Sequence, residues 1–108
     1  MSEFAGLLSS RIEVWRRSGE RLPTGIASEE WVPVCRCLAR VEAEGTGVQT
    51  EGMTLSALPR YRVLLRVRDD LAIDQRVHWR GRQLAVRQMV EDPSTPDRMT
   101  LRCEEVRA

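Results

Sequence analysis

The residues in this sequence with the most evident chemistry are arginines, which alternate with apolar residues from Arg60 to Arg68. Successive side chains of an extended strand point to opposite sides. One side of this segment therefore carries Arg60, Arg62, Arg66 and Arg68, together with Leu64. The other side is apolar and consists of Tyr61, Val63, Leu65 and Val67. Because a guanidinium group binds carboxylates and phosphates through parallel hydrogen bonds, the charged side is predicted to meet neighbouring carboxylates, a partner subunit or a nucleic acid.

The composition limits what that partner can be. The chain has 108 residues, and its 17 basic residues are all arginines, against 16 acidic residues, so the formal net charge is only +1. A protein attracted to nucleic acid over its whole surface would be strongly basic. Any contact with phosphates is therefore predicted to be local. The lack of lysine also excludes a phosphate-binding loop of the type that needs one.

The other residue types that could perform chemistry are few. His78, the single histidine, lies in an alternating segment without an evident acid–base partner. Cys35 and Cys37 have no second pair of ligands at the spacing of a zinc site, so we interpret them as small core residues. The acidic pairs at residues 69–70 and 104–105 are interpreted as charge partners of the arginines. We therefore predict no enzyme activity, no bound metal and no cofactor.

Alternation of apolar and polar residues recurs along the chain and predicts the elements that position these side chains. Strands are predicted at residues 11–17, 31–44, 60–68, 76–80, 83–90 and 98–104, with a tight hairpin at Gly81-Arg82. The pattern predicts an all-β fold, a small antiparallel barrel or sandwich, in a single domain over residues 1–108. The predicted core comprises Ile12, Val14, Cys35, Cys37, Val41, Tyr61, Val63, Leu65, Val67, Val77, Trp79, Leu84, Val86, Leu101 and Cys103.

Two segments fall outside this alternation. Residues 1–9 have at most the pattern of a short helix or turn. Residues 45–58 contain three glycines and four threonine or serine residues, and they are predicted to form a long loop between the second and third strands. Such a loop is uncommon in a small domain and is usually functional or disordered. No stretch approaches the roughly 20 apolar residues that span a bilayer, so we expect no membrane contact.

Several short motifs occur along the chain in an order and at a spacing that resemble those of a known protein family. They begin with Gly6-Leu7-Leu8 and continue through Trp31-Val32-Pro33-Val34 and Leu38-Ala39-Arg40-Val41-Glu42. The strand from Tyr61 to Arg68 follows, then a hairpin over residues 76–86 and a last strand over residues 98–105. In this order the chain resembles the head–tail joining proteins of long-tailed bacteriophages, also called head-closure or stopper proteins, whose relatives occur in prophages and gene transfer agents.

This resemblance implies a structural barrel subunit that forms a sixfold or twelvefold ring below the portal and its adaptor, closes the DNA channel after packaging and docks the tail. The implied partners are further copies of the chain, the head–tail adaptor and portal proteins, the tail terminator or tail tube protein, and the packaged DNA. The implied location is the virion or gene transfer agent particle, and the cytoplasm of the bacterial host during assembly.

The same resemblance assigns a role to the long loop, and the ring that it implies gives one to the arginine strand. The long loop, counted from residue 44 to residue 58, would project into the channel and help to plug it. The implied plug residues are Gly45, Gly47, Val48, Gln49, Glu51, Gly52, Met53 and Leu55. In a ring-forming subunit, the charged side of the arginine strand, with Arg60, Arg62, Arg66 and Arg68, is expected to contact a neighbouring subunit or another partner, or to face the lumen of the ring.

An alternative from another functional class is a monomeric nucleic-acid-binding module of the OB type. It would place the arginines of the 60–68 segment on phosphates and stack bases on tryptophan or tyrosine rings. The balanced charge of the chain and the inward orientation predicted for Tyr61 favour the connector ring over this alternative.

Overall fold

The structure, a computed structural model, describes residues 8–26, 29–44 and 59–106. Its six strands are β1 (Ser10–Arg17), β2 (Trp31–Ala43), β3 (Arg60–Arg66), β4 (Arg76–Trp79), β5 (Arg82–Glu91) and β6 (Arg98–Glu105). They form a closed antiparallel barrel in the order β1-β2-β3-β6-β5-β4, and β4 pairs with β1 to complete it. The prediction of an all-β antiparallel barrel is confirmed, whereas the single domain over residues 1–108 stays a prediction.

The predicted short helix or turn over residues 1–9 falls almost wholly outside the described residues, and so does the predicted loop over residues 45–58. In the part of the chain that the structure describes, no helix is long and apolar enough to cross a membrane.

The antiparallel order sorts the connections between two ends of the barrel. The connections β1–β2, β3–β4 and β5–β6 lie at one end, which we call the loop end. The β4–β5 hairpin lies at the other end, which we call the hairpin end, and there the chain leaves β2 after Ala43 and re-enters β3 at Arg60. The sheet thus gathers three separate loops into one surface and holds the two roots of the 45–58 segment side by side.

Inward-facing apolar side chains fill the barrel. Residues with no exposed surface come from every strand, and they are Val14, Ala39, Val63, Leu65, Val77, Leu84, Ala85, Val86 and Leu101. Most of the predicted core is confirmed as buried or packed against the core. The two cysteines of β2, with Val41 and Trp79, are only partly buried. Alternation therefore predicted the inward side correctly for the greater part of the barrel.

The predicted position of Val67 in the core is wrong. β3 ends at Arg66, and Val67 is 45% exposed. Beyond the strand the Arg68 guanidinium donates two hydrogen bonds of 2.9 Å to the Asp70 carboxylate. Aspartate is disfavoured in strands, and this local pairing turns the chain out of the sheet. Leu71, four residues after Val67, is buried in the core instead.

Two bulges and a tight hairpin adjust the strands to a closed barrel. Val34 in β2 and Arg87 in β5 are extra residues, each without a counterpart at a register shift in the neighbouring strand. The hairpin predicted at Gly81-Arg82 lies one residue earlier, because Trp79 is paired with Arg82. Its two loop residues are Arg80 and Gly81, with φ angles of 49° and 76°, as a type I′ turn requires.

Replacing Leu65 with alanine tests the assignment of the core. Leu65 has no exposed surface, so the Leu65→Ala change should lower the free energy of unfolding by about 2–5 kcal/mol. Val67→Ala is the control in the same segment, and there the change should stay within about 0.5 kcal/mol because the side chain is exposed. Urea denaturation measures both. Equal losses for the two variants would show that the inward side of β3 is misassigned.

Candidate functional site

The outward side of β3, β6 and β5 is a surface rich in arginines, which we call the arginine wall. It comprises Arg60, Arg62, Arg66, Arg87, Arg98 and Arg102. The outward positions of β3 and β6 alone carry five arginines and one glutamate, Glu104. Inward burial of the intervening residues positions these side chains, since Tyr61, Val63 and Leu65 on β3 and Met99, Leu101 and Cys103 on β6 are all buried.

Arginines stand directly opposite each other across β3 and β6. Arg62 is paired with Arg102, and Arg66 with Arg98. Like charges at directly opposed positions destabilise a sheet. The wall therefore needs carboxylates, from this chain or from a partner, to balance its charge.

Glu44 supplies part of that balance. It follows β2 at the hairpin end, where its backbone N–H donates to the Arg60 carbonyl at 2.9 Å. Its side chain is only 12% exposed and accepts hydrogen bonds from the Nε and Nη2 atoms of Arg102, each at 3.1 Å, while the Nε of Arg62 lies 3.8 Å away. The hydrogen bonds from Arg102, assisted by the nearby positive charges, lower the pKa of the Glu44 carboxyl. Glu44 is therefore held ionised between two opposed arginines.

Two further arginines of the wall pair with carboxylates at its edges. Arg87, exposed by the bulge in β5, lies 3.5 Å from both Glu104 and Asp74. Arg98 contacts Asp97 at 3.4 Å. Arg87 and Asp74 are exposed, whereas Arg98 and Glu104 are partly exposed, and ion pairs at such positions contribute little stability. The wall is therefore an accessible surface whose charges can be shared with an incoming partner.

The structure brings three of the four arginines predicted as contact residues into the wall. The fourth, Arg68, lies beyond β3 and is held by Asp70, beside the two cysteines of β2. The wall residues that sequence reasoning missed are Arg87, Arg98 and Arg102. Alternation places Arg98 and Arg102 on the outward side of the last strand, but it gives no sign that this strand is the neighbour of β3.

A cluster at the hairpin end uses the tyrosine that the nucleic-acid alternative would need for stacking. The Tyr61 ring packs edge-on against the Trp79 ring, with centroids 5.4 Å apart. Arg82 donates a hydrogen bond of 3.1 Å to the Tyr61 hydroxyl and pairs with Glu105 at 3.0 Å. Tyr61 is therefore buried in the barrel and offers no open face to a base.

A second outward cluster lies on the opposite side of the barrel. Trp15 on β1 stacks on His78 of β4, with centroids 5.4 Å apart, and the two strands are paired at this point. Trp31 lies under the guanidinium groups of Arg17 and Arg76, at 5.4 and 4.9 Å from its centroid. His78 is thus a half-buried stacking residue, without a carboxylate partner among the described residues.

The cysteines show no sign of reactivity. Burial, followed by the neighbouring Cys37 thiol, raises the pKa of Cys35 to about 11, and burial raises that of Cys103 to about 12. All three cysteines are free, and the described ranges contain no group of three His, Cys, Asp or Glu residues that could hold a metal ion. The predicted plug residues, from Gly45 to Leu55, lie outside the described residues.

Comparison with known protein families identifies the chain. A family model described as "Phage head completion protein" matches residues 5–106. The chain belongs to this family. Membership gives the protein a structural role in completing the phage head, a place in the virion and contacts with other head or tail proteins, and it points away from catalysis. The resemblance noted in the sequence is thereby confirmed.

The fold of this head completion protein also occurs in a solved structure. The solution structure of protein SF1141 from Shigella flexneri 2a superposes with a TM-score of 0.74 and 23% sequence identity, covering 93% of this chain and 94% of that one. No curated protein matches the sequence. At this identity the likeness concerns the fold alone.

Removing the charge of Glu44 tests its role in the wall. Because the pKa of Glu44 is lowered in the folded protein, the carboxylate stabilises the fold above the pKa of an unfolded glutamate, about 4.3, and this stabilisation is lost as the pH falls through the folded value. We expect Glu44→Gln to lower the melting temperature at pH 7, and the difference from the unchanged protein to shrink below about pH 4.

Glu42→Gln is the matched control two residues away. Glu42 is exposed and pairs only loosely with Arg40, at 3.4 Å. Its change should have a smaller effect on the melting temperature at pH 7. Equal changes in melting temperature for the two substitutions at every pH would contradict the stabilising role of Glu44 between Arg62 and Arg102.

Proposed function

We propose that this head completion protein is one subunit of a ring in the head–tail connector, which closes the DNA channel below the portal and adaptor and receives the tail. The observation that carries the proposal is the family match over residues 5–106. Within the ring, the arginines at 60, 62 and 66 would contact a neighbouring subunit or connector protein, and the 45–58 segment would help to plug the channel. The particle would be a virion or a gene transfer agent.

The geometry of the barrel supports an interface on the arginine wall. Arginine is enriched at protein interfaces, where its planar group makes several directed hydrogen bonds. The arginines of the wall lie on paired strands and face outward, so the sheet sets their spacing toward a partner. Arg68, the fourth residue of the predicted contact set, lies beyond β3 and pairs with Asp70, and its role as a contact residue stays a prediction.

The roots of the 45–58 segment are fixed independently of the segment itself. On one side Glu44 bonds to Arg60 through the backbone at 2.9 Å, and on the other side the Glu105 N–H donates to the Pro59 carbonyl at 2.8 Å. A change in the length of the segment therefore need not disturb the barrel, since closure entropy depends only weakly on loop length. This arrangement supports the proposal that the segment plugs the channel, because the barrel does not depend on the length of the segment.

Shortening residues 45–58 to a two-residue turn should leave the barrel folded but release DNA from filled heads. The physical reason is that the plug would be removed, while the backbone bond between Glu44 and Arg60 keeps the strands joined. The measurement is nuclease-protected DNA in particles assembled with the variant. A length-preserving replacement of the segment by glycine and serine is the matched control for length. Equal DNA retention in the shortened and unchanged particles would remove the plug from the proposal.

Binding to free DNA separates the connector from the nucleic-acid module. Four arginines of the wall pair with carboxylates of the same chain, and Tyr61 is buried. We therefore expect no salt-sensitive binding of the isolated subunit to labelled DNA in a fluorescence anisotropy titration at low salt. Tight binding that is lost on raising the salt concentration would indicate phosphate contacts, and loss of that binding in Arg60→Glu/Arg62→Glu would place them on the wall.

A further inference from the structure

Charge is strongly segregated between the loop end and the rest of the barrel. The loop end, taken as residues 18–26, 29–30, 67–75 and 92–97 together with Glu91 at the end of β5, contains only two arginines, Arg21 and Arg68. Its nine carboxylates are Glu20, Glu29, Glu30, Asp69, Asp70, Asp74, Glu91, Asp92 and Asp97. The remaining described residues carry fourteen arginines against five glutamates. A chain that is nearly neutral overall therefore has an acidic end and a basic body.

The arginine wall is the part of the basic body in which arginines lie directly opposite each other on paired strands. Arg62 faces Arg102 and Arg66 faces Arg98 across the β3–β6 pair. Such like-charge pairs weaken a sheet, and incoming carboxylates would relieve the repulsion. At the loop end, Asp69, Glu91 and Asp92 are exposed. Hydrogen bonds from the backbone N–H and the hydroxyl of Ser94 to its carboxylate lower the pKa of Asp92.

We propose that the arginine wall of one copy binds the acidic loop end of a second copy, so that subunits meet end to side. This inference deepens the proposed function and rests on it, since a connector ring requires repeated contacts between copies. The two surfaces lie on different parts of the same chain and carry opposite charge, as a head-to-tail interface requires.

The charge distribution disfavours the symmetric alternatives. A wall-to-wall contact would bring two sets of guanidinium groups together, and an end-to-end contact would bring two sets of carboxylates together. Of these contacts, only the pairing of wall with loop end joins opposite charges, and repeating it around an axis produces a ring if the rotation closes. Because both surfaces are exposed, the contact should weaken with increasing salt.

The lack of lysine in the sequence allows a direct test. Arg60→Lys keeps the charge of the wall and introduces a single side-chain amine, which a zero-length carbodiimide reagent can join to a carboxylate in contact with it. The variant is treated as purified chain at low ionic strength and as assembled particles. We expect covalent dimers and larger products, in which the introduced amine is joined to peptides that contain Asp69, Glu91 or Asp92. Arg36→Lys is the matched control, since Arg36 pairs with Glu13 of its own chain at 3.0 Å and should give no products between copies.

The possible results distinguish a failure of this interface from a failure of the proposed function. Products between copies that leave the loop-end carboxylates unmodified, or no such products in either sample, would overturn the interface. Particles that retain DNA while the introduced amine is joined to a different protein would preserve head closure and overturn the contact between copies. Links from that amine to the loop end, in a protein that fails to restore DNA retention, would preserve the interface and overturn head closure.

A charge exchange provides the second test. Asp69→Arg/Glu91→Arg places two positive charges on the loop end, and Arg60→Glu/Arg62→Glu places two negative charges on the wall. Each variant alone should lose incorporation into particles, because the substituted side chains then meet like charges on the neighbouring copy. An equal mixture should restore incorporation if the two variants alternate around the ring. At one contact the native wall of the loop-end variant meets the native loop end of the wall variant. At the next contact the two substituted surfaces meet, and their introduced charges are again opposite. Circular dichroism verifies that both variants fold. Failure of the mixture with both variants folded, or normal incorporation of the wall variant alone, would contradict the proposal.

Discussion

The structure depends on the pairing of β1 with β4, which closes the sheet into a barrel. Only three residue pairs make this seam, and in the central one Val14 lies opposite Val77, both without exposed surface. Because the sheet closes, each of the six described strands has a neighbouring strand on both sides. Apolar side chains fill the interior, and the charged side chains of the strands face outward or, as with Arg82 and Glu105 beside the Tyr61 hydroxyl, lie at an end of the barrel. The seam thus turns a chain with 31% charged residues into a barrel whose contacts with partners are made by side chains.

The sequence allows the strands to be predicted because inward and outward positions differ so sharply in polarity. Arg60 to Arg66 alternates with buried residues and is a strand, as predicted. Val67 continues the same pattern but leaves the sheet, because the bond between Arg68 and Asp70 forms just beyond it. The alternation of apolar and polar residues cannot predict such competition between the continuation of a strand and a local ion pair. It also cannot report which strands are neighbours, so neither the opposition of Arg62 to Arg102 nor the place of Glu44 between them was predictable.

Opposed arginines on neighbouring strands are a local departure from what the fold alone would favour. A sheet chosen only for stability would place opposite charges at these positions, and the sites where local rules are broken are commonly functional. Glu44 moderates the repulsion between Arg62 and Arg102 without removing the positive character of the surface. The repulsion between opposed arginines therefore lowers the stability of the chain only to a limited extent. The wall can still bind carboxylates of a partner.

The segregation of charge follows from the topology together with the chemistry of turns. Aspartate is favoured in turns, where its oxygens accept hydrogen bonds from the backbone two residues on, and it is disfavoured in strands. Asp92 does this with the N–H of Ser94 at 2.9 Å. Arginine is tolerated on strands because its long apolar stem covers neighbouring side chains while its charged group remains in water. An antiparallel barrel collects three of its turns at one end. Turn residues scattered along the sequence are thereby gathered into one acidic surface opposite in charge to the strands that carry it.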